Sequence, residues 1–504
     1  MKKLFVALLA ICIAFSSFSL AVFAEGAGSD TATSDVTEKK TVESLVGAYY
    51  LQGESGSVLN SNGTAIKSDY DYQIADIMAK ALNGTKRVPF YAFNKDDSIY
   101  FESFAEAYVI SEIKAAEEAG IDFFAYDLHI GYQPTVSGKK TIAKLMRNMN
   151  MQLIRHASLF GTNELGDKVN FAVVIDGDFS SSLVERELVI DQFLTRKGYL
   201  TAADGRPVLF IKWNDDIQNQ ITKINSTLKK AVADPTVLKD GVESVYAVAL
   251  NAPSYDEAIN AGAEAISWTE GTGKNGESYT NMTATVEANW ANGSAVLPNV
   301  VTGFDKTLLA DNPINIKANK KAGDDRTFSV RYSRTGTKEE YVAPATADEL
   351  VNHVKNAVAT TNKPENFPAV MVYAWDDFMG GAHICPTQTD KAFQYDATYL
   401  NALRAYFFGK EDGISTLTVL DTINQTVITD MRAKTITTMG KNEEGKVVEK
   451  SKVDFDGNPV VDQSPTGNNK LPWGLIGGIG GGAVVIIGVV IGIVVGKNKK
   501  KESE

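Results

Sequence analysis

Cysteine is almost absent: the 504 residues contain two. Cys12 falls in an N-terminal leader, so Cys385 has no partner in the mature chain. No disulfide framework can hold the fold together. Histidine is nearly as scarce. His129, His156, His353 and His383 show none of the close spacings of a zinc site, so neither a metal nor a cofactor is expected. With 14 prolines and 41 glycines the chain is neither collagen-like nor low-complexity. At 44% hydrophobic and 22% charged residues it cannot be disordered throughout. Positive charge is also short: 50 Lys and Arg face 62 Asp and Glu, a net charge of −12. Both ends are basic, so the stretch between them carries about −16. A body this acidic excludes nucleic acid as a partner, because phosphate binding needs a basic surface.

The two ends read as addresses. Lys2 and Lys3 precede an apolar run from Leu4 to Leu20, and Val22-Phe23-Ala24 offers small residues for cleavage. That is the pattern of a secretory signal peptide over residues 1–24. A Gly, Ser, Thr and charge-rich leader follows over 25–43. Near the other end Leu475–Val495 runs for 21 residues without a charge. At ~1.5 Å per residue it can cross a ~30 Å hydrocarbon core. Lys497, Lys499, Lys500 and Lys501 follow, which places the tail, 497–504, in the cytoplasm. The expectation is a single-pass protein of a bacterial cell membrane, its helix within 471–496 and its body outside. Gly474, Gly478 and Gly482, then Gly488, Gly492 and Gly496, recur every four residues. Such small-residue faces allow helix-mediated self-association.

The middle alternates short apolar β-rich runs with longer helical stretches. The runs are Val46–Leu51, Ile121–Tyr126, Val169–Ile175, Pro207–Trp213, Ser244–Leu250, Ala265–Trp268, Asn299–Gly303 and Ala369–Trp375. Each is nearly continuously apolar, as strands buried on both faces are. Helical periods occupy Phe101–Ala119, ending at Gly120, then Leu183–Leu194 and Ala347–Val358. Eight such units predict an α/β fold, a (β/α)8 TIM barrel over 44–409. Val88–Phe93 is a ninth β-like run, placed in the first βα loop, and 306–345 is an insertion after the seventh strand. From 410 to 470 Thr, Val and Ile alternate with polar residues, predicting a C-terminal β-rich stalk before the transmembrane helix.

In such a barrel the reactive groups stand at the C-terminal strand ends. Those ends supply Tyr49, Asp127 with His129, Asp176, Trp213, Trp268 with Glu270, Asp305, then Trp375 with Asp376 and Asp377, and His383 beyond. Carboxylates beside aromatic rings suit saccharides: two carboxyl groups can flank a glycosidic bond, and rings pack against sugar C–H faces. An Asp after a strand is equally an ordinary helix N-cap, so part of this set is expected to be structural. Candidate catalytic groups are Asp377, Glu270 and Asp305. Tyr49, Asp127, His129, Asp176, Trp213, Trp268, Trp375, Asp376 and His383 are candidate substrate contacts.

Five segments carry a resemblance. They are Val46-Gly47-Ala48-Tyr49-Tyr50, the run Ile121 to Asp127 (IDFFAYD), Gly205 to Ile211 (GRPVLFI), Val301-Thr302-Gly303-Phe304-Asp305, and Ala374 to Pro386 (AWDDFMGGAHICP). In this order, across roughly 46–408, they resemble family 99-like glycoside hydrolase domains, the WbsX type included, which are related to endo-α-mannosidases. The resemblance implies two catalytic glutamates three residues apart in the last segment. The first matches Asp377, one methylene shorter. The second, the proton donor, matches Gly380, and the family's Glu before Pro matches Cys385. Either Glu270, Asp305 or Asp127 supplies the missing acid, or the barrel binds sugar without cutting it. The expected function is thus endo-acting hydrolysis of an extracellular α-linked polysaccharide or glycan. A non-catalytic carbohydrate-binding barrel and a surface adhesion or structural protein are the alternatives.

Overall fold

The structure is a computed structural model that describes residues 44–454. Interior stretches fall outside that description, the longest being 53–69, 231–241, 318–330 and 415–424. The signal peptide, the leader and the apolar segment 475–495 also lie outside the described residues. Among the described residues no helix is long and apolar enough to cross a membrane.

Eight parallel strands form the barrel. They are β1 (Leu45–Tyr50), β2 (Phe123–Asp127), β3 (Asn170–Ile175), β4 (Val208–Lys212), β5 (Tyr246–Leu250), β6 (Ala265–Ser267), β7 (Asn299–Val301) and β8 (Ala369–Tyr373). Six lie within the predicted runs, while β1 begins one residue before its run and β2 ends one residue past its own. Hydrogen bonding runs in the order β6-β5-β4-β3-β2-β1-β8-β7. The ring is nearly closed. Between β6 and β7 the only ladder contact among the described residues is a parallel bridge from Ile266 to Val296, just ahead of β7.

Continuous apolar sequence becomes continuous burial. β2 and β5 are buried at every position, and so is β8. The rings of Phe123 and Phe210 stack at 6.3 Å in the interior, and Phe367 meets both. Gly47 on β1 gives Phe123 its space, since a Cβ there would run into the ring.

Helices surround the ring. They are α1 (Tyr70–Leu82), α2 (Glu106–Glu118), α3 (Met151–Leu159), α4 (Leu183–Val189), α5 (Ile217–Leu228), α6 (Tyr255–Asn260), α7 (Tyr279–Asn289), α8 (Thr307–Asp311), α9 (Ala347–Ala359) and α10 (Thr398–Phe408). The predicted helix over 183–194 is split: α4 passes into a π-helical turn at Ile190–Leu194. A capping box starts α9, with Thr346 and Glu349 satisfying each other's backbone N–H. Gly120 ends α2 with φ +83°, a left-handed position that suits glycine.

Two features place the site. The loop after β7 contains the antiparallel hairpin Ile314–Lys317 with Arg331–Arg334, so the stretch after Asp305 is structured rather than plain loop. The loop after β8 turns back at once, pairing Asp376–Asp377 with Ala382–His383. Separately, within 410–470 the described residues form a three-stranded antiparallel sheet, Gln425–Asp430, Thr435–Lys441 and Val447–Asp454.

Candidate functional site

The C-terminal strand ends gather the charged residues into two clusters. The first joins β2, β3 and β4. Lys212, the last residue of β4, reaches Asp127 at 3.0 Å and Asp176 at 3.2 Å. Burial pulls the ammonium group toward neutrality, but Asp127, Tyr49 and Asp176 outweigh it and hold its pKa well above the usual lysine value. Burial followed by Asp127 drives the Tyr49 phenol far above the ordinary range, with Lys212 opposing. Lys212 is therefore a fixed cation among acceptors, a set of groups that can hold sugar hydroxyls.

The second cluster joins β6, β7 and β8. Tyr373, the last residue of β8, places its hydroxyl 3.3 Å from Glu270 Oε1 and 3.3 Å from Asp377 Oδ2. Asp377 Oδ1 accepts from Arg334 Nη2 at 2.7 Å and from the Gly380 N–H at 2.7 Å. Glu270 Oε2 accepts from Lys306 at 2.7 Å, and the same ammonium reaches Glu340 at 3.1 Å. Ring packing of Tyr49 on Tyr373, 5.3 Å between centroids, links the two clusters.

Asp305 stands apart from the Glu270–Asp377 pair. It is ion-paired with Arg87, and its Oδ1 accepts the Thr307 N–H at 3.0 Å. Burial would raise its pKa, but Thr307 and then Arg87 win and hold it below the ordinary carboxylate value. That is the behaviour of a turn-forming, ion-paired carboxylate.

Trp375 and Asp376 lie behind the strand ends. Trp375 is 0% exposed, and its indole N–H donates to Glu112 Oε1 at 3.0 Å. Asp376 Oδ1 accepts the Leu51 N–H at 2.7 Å, and burial raises its pKa well above the usual value. The Trp375 ring thus has no face for a sugar. Trp213 and Trp268 are half-buried against the core, leaving part of each ring open. His129 is half-buried in the loop after β2, where Asn150 accepts from its N–H at 2.9 Å and donates to its carbonyl at 2.7 Å. Burial lowers its pKa. His383 lies on the rim in a cleft of about 360 Å³, with Lys86, Arg87, Asp396 and Tyr399 in the wall. Burial, then Arg87, brings it down to about 4, so it is neutral at physiological pH.

Five groups escaped the reading of the sequence: Lys212, Tyr373, Lys306, Arg334 and Glu112. Lys212 had a signal, as the one charge closing an apolar strand. Glu112 also had one. It interrupts the buried face of α2 formed by Val109, Ile113 and Ala116. Arg334 had none, since it stands in an insertion without periodicity.

Glu112 is 1% exposed and accepts from Tyr50 at 3.0 Å as well as from Trp375. Burial pushes its carboxyl up to about 7, against ~4.3 in an unfolded chain. A carboxyl raised by folding stabilises the fold fully at acid pH, and the contribution is lost as pH rises through 7. Buried histidines such as His156 and His353, both brought down to about 4 chiefly by burial, titrate in the opposite sense. The expected signal is therefore a difference. Glu112→Gln gains stability relative to the parent between pH 5 and pH 8, by up to about 3 kcal/mol. Thermal melts of both proteins across that range test this, and a constant difference would contradict it.

No family model matches the chain, and no curated protein matches it. Solved structures do resemble it. One is the GH99 endo-alpha-mannosidase from Bacteroides thetaiotaomicron in complex with BIS-TRIS-propane, at 12% identity and TM-score 0.41, covering 75% of this chain and 98% of that one. A second structure of the GH99 endo-alpha-mannosidase from that organism has 12% identity and TM-score 0.40, covering 75% and 96%. A glycoside hydrolase-like protein has 13% identity and TM-score 0.40, covering 73% and 96%.

Proposed function

We infer that this barrel is a glycoside hydrolase-like protein acting on an extracellular α-linked polysaccharide or glycan. One observation carries the reading: Glu270 and Asp377 both lie 3.3 Å from the Tyr373 hydroxyl oxygen. Two oxygens that share such a neighbour are no more than about 6.6 Å apart, and closer for any bent arrangement. Paired carboxyl groups separated by ~5–5.5 Å suit retaining double displacement, and ~6.5–9.5 Å suits inversion. The bound favours retention. The half-buried Trp213 and Trp268 and the Asp127–Lys212–Asp176 cluster would hold the rest of the saccharide.

A second reading has its own support. Asp377 already takes three donors and its side chain is only 3% exposed, as in a barrel that binds sugar without cutting it. Incubating the purified full chain with α-linked oligosaccharides separates the two. New reducing ends support hydrolysis, and retention of intact oligosaccharide supports binding alone. Neither result would leave the site without a saccharide role.

The same inference includes tethering, resting on the leader and on the Leu475–Val495 run followed by lysines. Protease added to intact cells is expected to remove the body and leave a small membrane-bound remnant containing 471–504. A body that survives this treatment intact would refute the orientation.

A further inference from the structure

We propose that the cleft walled by the hairpin after β8 and the first turns of α9 and α10 is a second saccharide-binding site, separate from the Glu270–Asp377 pair. Its class of ligand rests on the saccharide reading above, and its place rests on the cleft alone.

The cleft, of about 360 Å³, has Lys86, Arg87, Thr302, His383, Thr387 and Asp396 in its walls. A neighbouring cavity of about 390 Å³ shares Lys86, Thr387 and Asp396 with it and adds Thr85 and Gln388. Both fall in the ~300–1,000 Å³ range of ligand sites. Glu270, Tyr373 and Asp377 line neither. Two adjoining cavities with a common wall suit an extended ligand rather than a single small ion.

Two polar atoms in the wall are unpaired among the described residues. Thr302 is 1% exposed, and its Oγ1 is buried without a hydrogen-bond partner. The same holds for Nδ1 of His383. A buried polar atom left unpaired costs stability. Here two of them converge on one cleft, and a ligand that pairs them recovers that cost.

The chemistry of the walls selects the ligand. A threonine hydroxyl both donates and accepts, and a neutral imidazole nitrogen does either according to its tautomer. His383 is neutral, brought down to about 4 by burial and then by Arg87. The matching group is a hydroxyl, which gives and takes in the same way. An anion fits poorly. The Arg87 charge is already met by Asp305. The remaining charges in the walls, Lys86 and Asp396, are of opposite sign. The N-termini of α9 and α10 are already served by carboxylates: Glu349 accepts the Thr346 N–H at 2.8 Å, and Asp396 accepts the Thr398 N–H at 3.0 Å. Pro344 and Ile384 add apolar wall against which sugar C–H faces can pack. A chain of neutral sugar residues meets all of these demands.

Hydrogen exchange of the purified full-length protein, in short pulses with and without α-linked mannotetraose or maltotetraose, tests the proposal. Saccharide should slow exchange in two separate places. One is the mouth, in peptides covering 212–216 and 267–270. The other is the cleft, in peptides covering 84–88, 381–388 and 395–399. Titration of the cleft peptides gives that site its own dissociation constant. Thr302→Val keeps the branched shape and removes the hydroxyl, and it should raise that constant about tenfold while the constant read from the mouth peptides stays in place. Lys86→Ala alters an exposed side chain and should raise the cleft constant about threefold, which keeps the test open should Thr302→Val fail to fold. Protection of the mouth alone overturns the second site and leaves the saccharide reading standing. Protection of the cleft alone supports the second site and overturns the mouth as the place of binding. Protection at neither place overturns both, and a cleft constant indifferent to both substitutions overturns the proposal.

Discussion

Asp377→Asn and Glu270→Gln should each lower turnover of an α-linked oligosaccharide by ~10²–10⁴, and they should differ on an activated leaving group. Both changes keep side-chain size, so neither opens a cavity. Asn at 377 can still accept from Gly380, but it takes the charge out of the Arg334–Asp377 ion pair. Gln at 270 likewise leaves Glu340 as the carboxylate partner of Lys306 among the described residues. With Glu270 as the acid and Asp377 as the second catalytic carboxylate, the difference follows from the chemistry. A dinitrophenyl glycoside departs without protonation, so loss of the acid costs it little, while loss of the carboxylate that meets the anomeric carbon still stops it. Glu270→Gln should recover most of the parental rate on the aryl substrate, and Asp377→Asn should not. Steady-state rates on both substrates check this. Reversed behaviour would exchange the two roles, and parental rates in both variants would move the site elsewhere, with Asp305 the next carboxylate to replace.

Gly380→Glu is expected to lose stability and activity together. On resemblance alone the opposite follows, because Gly380 matches the position of the family's proton donor, and a glutamate there would restore it. The geometry reverses that expectation. The obstacle is space, not backbone conformation: Gly381 takes a left-handed φ of +71°, and Gly380 does not. A Cβ on Gly380 would fall against both carboxylate oxygens of Asp377, of which Oδ1 accepts the Gly380 N–H. Overpacking of this kind costs typically ~1–3 kcal/mol, and a second carboxylate placed against the first adds like-charge repulsion. Pairing the change with Asp377→Glu lengthens the obstructing side chain and makes matters worse. Gly380→Ala should already show much of the loss, since the first atom added is the one that collides. A melt together with a rate measurement decides it. A Gly380→Glu protein that melts with the parent and turns over faster would show that Asp377 can yield and that the acid belongs at 380.

The barrel was legible because buried parallel strands leave a local mark. Runs such as Phe171–Ile175 and Val208–Ile211 are apolar at every position, and each unit repeats the mark. The π-helical turn at Ile190–Leu194 left none, because it shares its apolar spacing with the α-helix before it. The site was legible only in part, for a related reason. Strand ends announce which residues reach the mouth, but not which way each turns. Asp377 and Glu270 meet at Tyr373, whereas Asp305 faces Arg87 and Trp375 faces Glu112. Apart from the Tyr373–Asp377 contact, those choices depend on partners 103 to 263 positions away along the chain, and spacing rules do not reach that far.

The two cations that hold the pair have a shared origin. Lys306 and Arg334 both belong to the stretch between β7 and α9, while Glu270 and Asp377 follow β6 and β8. Framework and counter-charge are thus written in separate parts of the sequence. Replacement of one surface excursion can strip two positive charges from the carboxylates without touching a barrel strand. A descendant of this chain could therefore pass between a tightly neutralised mouth and an openly anionic one through a single loop exchange, and so acquire a different ligand while keeping the same ring of eight strands.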